Sequence, residues 1–176
     1  MKFHVAVRRT LFCLVLLAVA PAAFSQMSFA AGLGANFFRY DTPYLTALAA
    51  TYLYEYTDGV ELNIGGEFAI STTEDDDGDT VPRFLLPANI GLNFVFPREQ
   101  VSMVFGTGLT PVFVIDEDGD TGFLMGPYAK GAVRVNVHPY MSWFLELQQD
   151  LLIGGSDWIN TGTRASSGIV FSFEDR

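Results

Sequence analysis

The stretch from Val60 to Ile70, VELNIGGEFAI, limits what this chain can fold into more than any other. Its even positions are Leu62, Ile64, Gly66, Phe68 and Ile70, and its odd positions are Glu61, Asn63, Gly65, Glu67 and Ala69. Period-two alternation marks a β-strand, because successive strand side chains point to opposite faces. One face is therefore apolar, and the other is polar and carries two carboxylates. Seven further stretches alternate in a similar way, over 28–38, 44–56, 83–96, 101–115, 123–137, 140–153 and 161–173. Eight such strands are what a closed barrel needs. No amphipathic helix of useful length follows residue 26, so the expected class is all-β.

The first 25 residues read as a segment to be removed. Lys2, Arg8 and Arg9 give a positive start, Leu11 to Ala20 is an unbroken apolar run, and Ala23-Phe24-Ser25 sets small residues where a signal peptidase reads. Cleavage is expected before Gln26. The apolar run is only about half of the roughly 20 residues that a membrane-spanning helix requires. Cys13, the single cysteine, lies in this run, so residues 26–176 hold none and can form neither disulfides nor thiolate metal sites. That remainder is expected to be one domain.

Three of the ten basic residues fall in the leader, which leaves seven Lys plus Arg against twenty Asp plus Glu, a net charge of −13 over residues 26–176. Phosphate would repel such a chain, which excludes nucleic acid as a partner. The acidic residues concentrate outside the strands. Thr57-Asp58-Gly59, Pro97-Arg98-Glu99-Gln100 and His138-Pro139 are short-turn signals, and between them come longer connections that include Glu74-Asp75-Asp76-Asp77-Gly78-Asp79 and Asp116-Glu117-Asp118-Gly119-Asp120. In an up-and-down barrel this alternation puts the acidic loops at one rim and the tight turns at the other.

The charge pattern also bears on which face is wet. A soluble barrel needs charge on the outward face of every strand, yet these strands carry only a handful of charges. Their polar faces hold glycine, serine and asparagine with a few charges of both signs, as suits a crowded polar interior. The apolar faces bring aromatics near strand ends, among them Tyr52, Tyr54, Phe94, Phe96, Trp143, Phe171 and Phe173, as interfacial girdles require. The expected fold is an eight-stranded antiparallel up-and-down transmembrane β-barrel with its apolar faces toward lipid. The second strand is ambiguous, since both its faces are largely apolar; the tyrosines favour Leu48, Ala50, Tyr52 and Tyr54 outward. A soluble lipocalin-like barrel is the alternative, with the apolar side inward around a ligand.

At the carboxyl end, Ser166-x-Gly168-x-x-Phe171-x-Phe173 resembles the assembly signal of bacterial outer-membrane proteins. With eight strands and a leader, the chain resembles the small OmpA/OmpX-type outer-membrane barrel family over nearly all of residues 26–176. The family usually ends on the aromatic residue, whereas Glu174-Asp175-Arg176 follows here. The resemblance implies an outer-membrane location and two partners, the bilayer and the barrel-assembly machinery, the latter through Gly168, Phe171 and Phe173.

The inward charges are the candidate site. Pairing the sixth and seventh strands across His138-Pro139 puts Lys130 opposite Gln148, with Glu146 and Asp150 on its diagonals. Arg134 then approaches Glu146, and pairing the last two strands brings Arg164 near Asp150. Charges in a lumen must be partnered, so Lys130, Arg134 and Arg164 are expected against Glu61, Glu67, Glu146 and Asp150. Eight strands leave an interior just wide enough to fill with side chains, which favours an occluded lumen over a small channel.

The two acidic loops share Asp-x-Asp-Gly-Asp-Thr, so Asp75, Asp77 and Asp79, and likewise Asp116, Asp118 and Asp120, resemble the start of a calcium loop. The closing glutamate of such a loop is absent, with Leu86 and Pro127 in its place, so at most a weak divalent cation is expected and no cofactor. Catalysis is not expected either. His138, Ser142 and Glu146 share strand parity, but four residues along a strand is about 13 to 14 Å, beyond hydrogen-bond reach.

Overall fold

The computed structural model describes residues 27–38, 42–74, 80–115, 121–154 and 158–173; the leader and the acidic tracts 75–79 and 116–120 lie outside them. Eight strands follow one another: β1 (Met27–Phe38), β2 (Thr42–Thr57), β3 (Val60–Glu74), β4 (Thr80–Arg98), β5 (Val101–Ile115), β6 (Thr121–His138), β7 (Met141–Ile153) and β8 (Ile159–Ser172). Each pairs antiparallel with its sequence neighbours, and β8 returns to β1, closing the barrel.

Two-residue turns at 58–59, 99–100 and 139–140 define one rim. Gly59, at φ 74°, supplies the left-handed backbone of the first turn. The third turn is Pro139-Tyr140 and not His138-Pro139, because His138 still completes the β6 ladder against Met141. The β1–β2, β3–β4, β5–β6 and β7–β8 connections leave and rejoin the wall at the opposite rim.

The second strand's two apolar faces have a local cause. The register of β2 shifts between Thr46 and Leu48 against β3 and between Thr46 and Ala49 against β1, so one extra residue at Ala47 reverses the parity of everything before it. Tyr44 and Thr46 are buried inside, and beyond the bulge Leu53 is too. Leu45 and Leu48 both point out, at 68% and 58% exposure, and Ala50, Tyr52 and Tyr54 share the outward parity of Leu48.

Side chains are sorted by face throughout. Leu33, Ile90, Leu109 and Leu147 are all more than half exposed on the outer wall, while Asn63, Asn93, Thr110 and Gln148 are almost fully buried within. Aromatic pairs mark both ends of the apolar belt. Near the turn rim Phe29 meets Tyr52 and Phe173, with centroids 5.4 and 5.9 Å apart, and near the loop rim Phe68 meets Phe84 at 5.7 Å and Phe113 meets Phe123 at 5.1 Å.

The interior is not polar along its whole length. Toward the loop rim Phe38, Tyr44, Leu85, Val112, Val114, Leu124 and Leu152 form a buried apolar plug across the lumen. A smaller cluster of Leu53, Phe144 and Val170 lies toward the turn rim. Arg164 and its partners lie between them, whereas Arg134 stands beside Phe144 of the smaller cluster in the β6–β7 register.

Candidate functional site

The charged layer is built from inward positions of six strands. At its centre is Arg164 on β8, 3% exposed. Its Nε donates to Asp150 Oδ2 on β7 at 2.9 Å, its Nη1 to Glu67 Oε1 on β3 at 2.9 Å, and its Nη2 to Asn89 Oδ1 on β4 at 2.7 Å. Gln148 Nε2 donates to Asp150 Oδ1 at 2.7 Å, and Thr110 Oγ1 lies 3.0 Å from the same oxygen. One guanidinium therefore serves two carboxylates from opposite sides of the barrel.

A second group lies closer to the turn rim. Lys130 Nζ donates to Glu146 Oε2 at 2.8 Å, and Arg134 grips Glu61 with two bonds of 2.6 and 2.8 Å. The pairing of Arg134 with Glu61 corrects the expected approach to Glu146. Arg134 faces Phe144 in the β6–β7 register, and its guanidinium reaches across the lumen to β3. A bidentate, charge-assisted pair is among the stronger polar contacts a protein makes. Asn93 Nδ2 donates to Glu61 Oε2 at 3.3 Å, and Asn63 Nδ2 to the Tyr128 hydroxyl at 3.0 Å.

Glycines make room for these large inward groups. Gly91 and Gly108 face each other on β4 and β5, and a Cβ on either would strike the Tyr128 side chain. A Cβ on Gly106 would come within 2.8 Å of Lys130 Cγ. Tyr128 escaped the sequence reading although it shares the parity of Lys130, two residues on. The inward glycines opposite it were the available signal, since a bulky lumen side chain needs a groove. The apolar plug was missed for a similar reason: its members stand on the polar faces of their strands, and only their clustering at loop-side ends reveals them.

Two buried oxygens in this layer, Asn63 Oδ1 and Gln148 Oε1, have no hydrogen-bond partner among the described residues. A cavity of about 30 Å³ adjoins the charged side chains, bordered by Thr51, Glu67, Asn89, Lys130, Glu146 and Ser166 among others.

The remaining candidates are dispersed. His138 Nδ1 accepts from the Tyr140 N–H at 3.4 Å, Ser142 Oγ donates to Asn136 Oδ1 at 2.7 Å, and Glu146 holds Lys130, so these three have separate partners. Asp75, Asp77, Asp79, Asp116, Asp118 and Asp120 lie outside the described residues, among which no group of three or more His, Cys, Asp or Glu could hold a metal ion. Gly168 stands at the β1–β8 seam opposite Gly32, where a Cβ would strike the Ala31 carbonyl oxygen. Phe171 points outward opposite Phe29, and Phe173 packs edge-on against the same ring.

The closed wall, the apolar exterior and the charged interior together define a small eight-stranded barrel of the outer-membrane kind in fold. Among solved structures the chain is similar to Neisserial surface protein A, with a TM-score of 0.66 and 10% identity, over 83% of this chain and 95% of that one. It is also similar to Ail, the attachment invasion locus protein of Yersinia pestis, solved in complex with the heparin analogue sucrose octasulfate, with a TM-score of 0.50 and 14% identity over 83% of this chain and 97% of that one. Both are small eight-stranded outer-membrane barrels. At such identities the likeness is one of fold. No family model and no curated protein sequence matches the chain.

Proposed function

We propose that this chain is an integral outer-membrane barrel whose work is structural or interactive, carried out through an acidic outer rim above an occluded lumen. The observation that carries this reading is the inverted sorting of side chains: an exposed apolar belt with aromatics toward both ends surrounds a buried layer of ion pairs. A soluble barrel that binds an apolar ligand needs the reverse arrangement. Lipid removes the cost of exposing Leu33, Ile90, Leu109 and Leu147.

A small channel is the second reading, and the apolar plug disfavours it. An ion passing the loop-side end of the lumen would leave the charged layer and meet Leu85, Leu124 and Leu152 without water. The tracts around Asp75 to Asp79 and Asp116 to Asp120 argue for cationic partners at the outer rim, including divalent ions that bridge to anionic lipid. A polysulfated ligand of the kind bound by Ail would be repelled there. Gly168, Phe171 and Phe173 remain the proposed contact for assembly machinery.

Membrane fractionation followed by electrophoresis of boiled and unboiled detergent samples tests the reading. An outer-membrane species whose mobility changes on boiling is expected. A soluble species without that change would overturn it.

A further inference from the structure

Between the aromatic girdles, outward polar side chains gather on one side of the wall. None stands on the outer face of β4 from Phe84 to Phe96 or of β6 from Phe123 to Val137, and the outward hydroxyl of β5, Thr107, donates to the Tyr128 carbonyl at 2.9 Å. On β8, by contrast, consecutive outward positions are Thr161, Thr163, Ala165 and Ser167, and Gln149 of β7 stands opposite Thr163. Ile159 closes this row toward the loop rim and Ile169 toward the turns.

Part of this polarity is satisfied within the wall. Gln149 Nε2 donates to the Gly162 carbonyl at 2.9 Å, and its Oε1 accepts from the Thr163 hydroxyl at 2.7 Å. The Thr161 and Ser167 hydroxyls have no hydrogen-bond partner among the described residues. Hydrocarbon offers them none. The row runs about 20 Å along the strand, across depths that one lipid headgroup does not reach. The loops single out the same side. The acidic tracts 75–79 and 116–120 join β3 to β4 and β5 to β6, and β4 stands diametrically opposite β8 in the ring. The connections nearest β8, 39–41 and 154–158, carry only the charges of Arg39, Asp41 and Asp157. Two copies that meet through β8 hold their most acidic tracts apart, whereas a meeting through β4 would set like charges together.

We infer that the outer face of β8 is the contact surface of a homodimer within the bilayer, its partner a second copy of this chain related by a two-fold axis along the membrane normal. The inference rests on the lipid-facing reading of the wall. Such an axis brings equal depths together, so the same hydroxyls and amide meet from both sides. Strands tilted by about 35–45° in both copies cross steeply, which confines close contact to the crossing. Ala165, in the middle of the row, is small enough to let the backbones approach there, with Thr163 and Ser167 on either side to bond across it.

Residues 26–176 contain no cysteine, so an introduced thiol can be read alone. Ala165→Cys, made from the full chain and oxidised in intact membranes, is expected to give disulfide-linked dimers several-fold more than Ala88→Cys, whose thiol sits on the outer face of β4 opposite Gly66. Adding Ser167→Ala should lower the yield at position 165 several-fold. Should Ala165→Cys fail to fold, Ser167→Cys takes its place with the same expectation against Ala88→Cys. Equal linkage at positions 165 and 88 would mean chance collision between lipid-covered walls and would overturn the dimer, as would no linkage at either. Those results in a membrane-bound, heat-modifiable protein sink the dimer alone, whereas a soluble protein without the mobility change sinks the membrane reading beneath it.

Discussion

Arg164 and Glu67 are 97 residues apart in the chain, yet Nη1 and Oε1 lie 2.9 Å apart across the barrel's interior. The contact ties β8 to β3, which share no hydrogen-bonded ladder. Arg164 also holds Asp150, so its removal strands two buried carboxylates at once. Arg164→Ala should cost about 3 to 5 kcal/mol, the usual penalty for breaking a buried pair from one side. Urea titration of the refolded protein, followed by the fluorescence of the outward-facing Trp143 and Trp158, would measure it.

The seam between β1 and β8 has no room for a side chain at position 168. Gly168→Ala would set a methyl against the Ala31 carbonyl and should reduce or abolish the compact, heat-modifiable band. Gly131→Ala is the matched control, since nothing lies within 4 Å of the Cβ it would gain. Electrophoresis of both variants without boiling gives the comparison.

The lipid-facing reading predicts a penalty where water would impose none. Leu147, 59% exposed near the middle of β7, becomes a charge at membrane depth in Leu147→Arg. A loss of about 2 to 4 kcal/mol is expected for an arginine near the bilayer midplane. Urea unfolding in lipid vesicles checks it, and a loss near zero would count against a lipid-covered wall.

The plug makes a separate prediction about conduction. Wild-type protein in planar bilayers should show no discrete conductance steps. Leu124→Ala should cost about 2 to 5 kcal/mol, as truncation of a buried leucine does. It should still not conduct, because Phe38, Tyr44, Leu85 and Leu152 go on filling the loop-side end.

Much of this was legible beforehand because strand alternation is local. The period-two pattern at Val60 to Ile70 needs no knowledge of a partner strand, and the same holds for the outward leucines and phenylalanines of β4, β5 and β7. Lys130 stands opposite Gln148, one residue off the pairing that strict counting back from the turn at 139–140 would give, because the register shifts between Asn136 and His138. Arg134 shows where such counting ends. Its partner Glu61 is reached through the lumen, across a distance set by barrel diameter and strand tilt and not by any single hairpin. The bulge at Ala47 was opaque for another reason. An extra residue reverses parity, and in the sequence that reversal looks like a strand with no polar face at all.

Ser28 and Ser172 hydrogen-bond to each other across the seam, 144 positions apart. Until the final strand has been delivered, every earlier assembly is an open sheet with two bare edges, each able to pair with a stranger. Contact order this high slows folding and exposes the chain to aggregation meanwhile. Such a polypeptide cannot close its wall as it is synthesised, because the strand that covers the outer edge of the first is the last to be made.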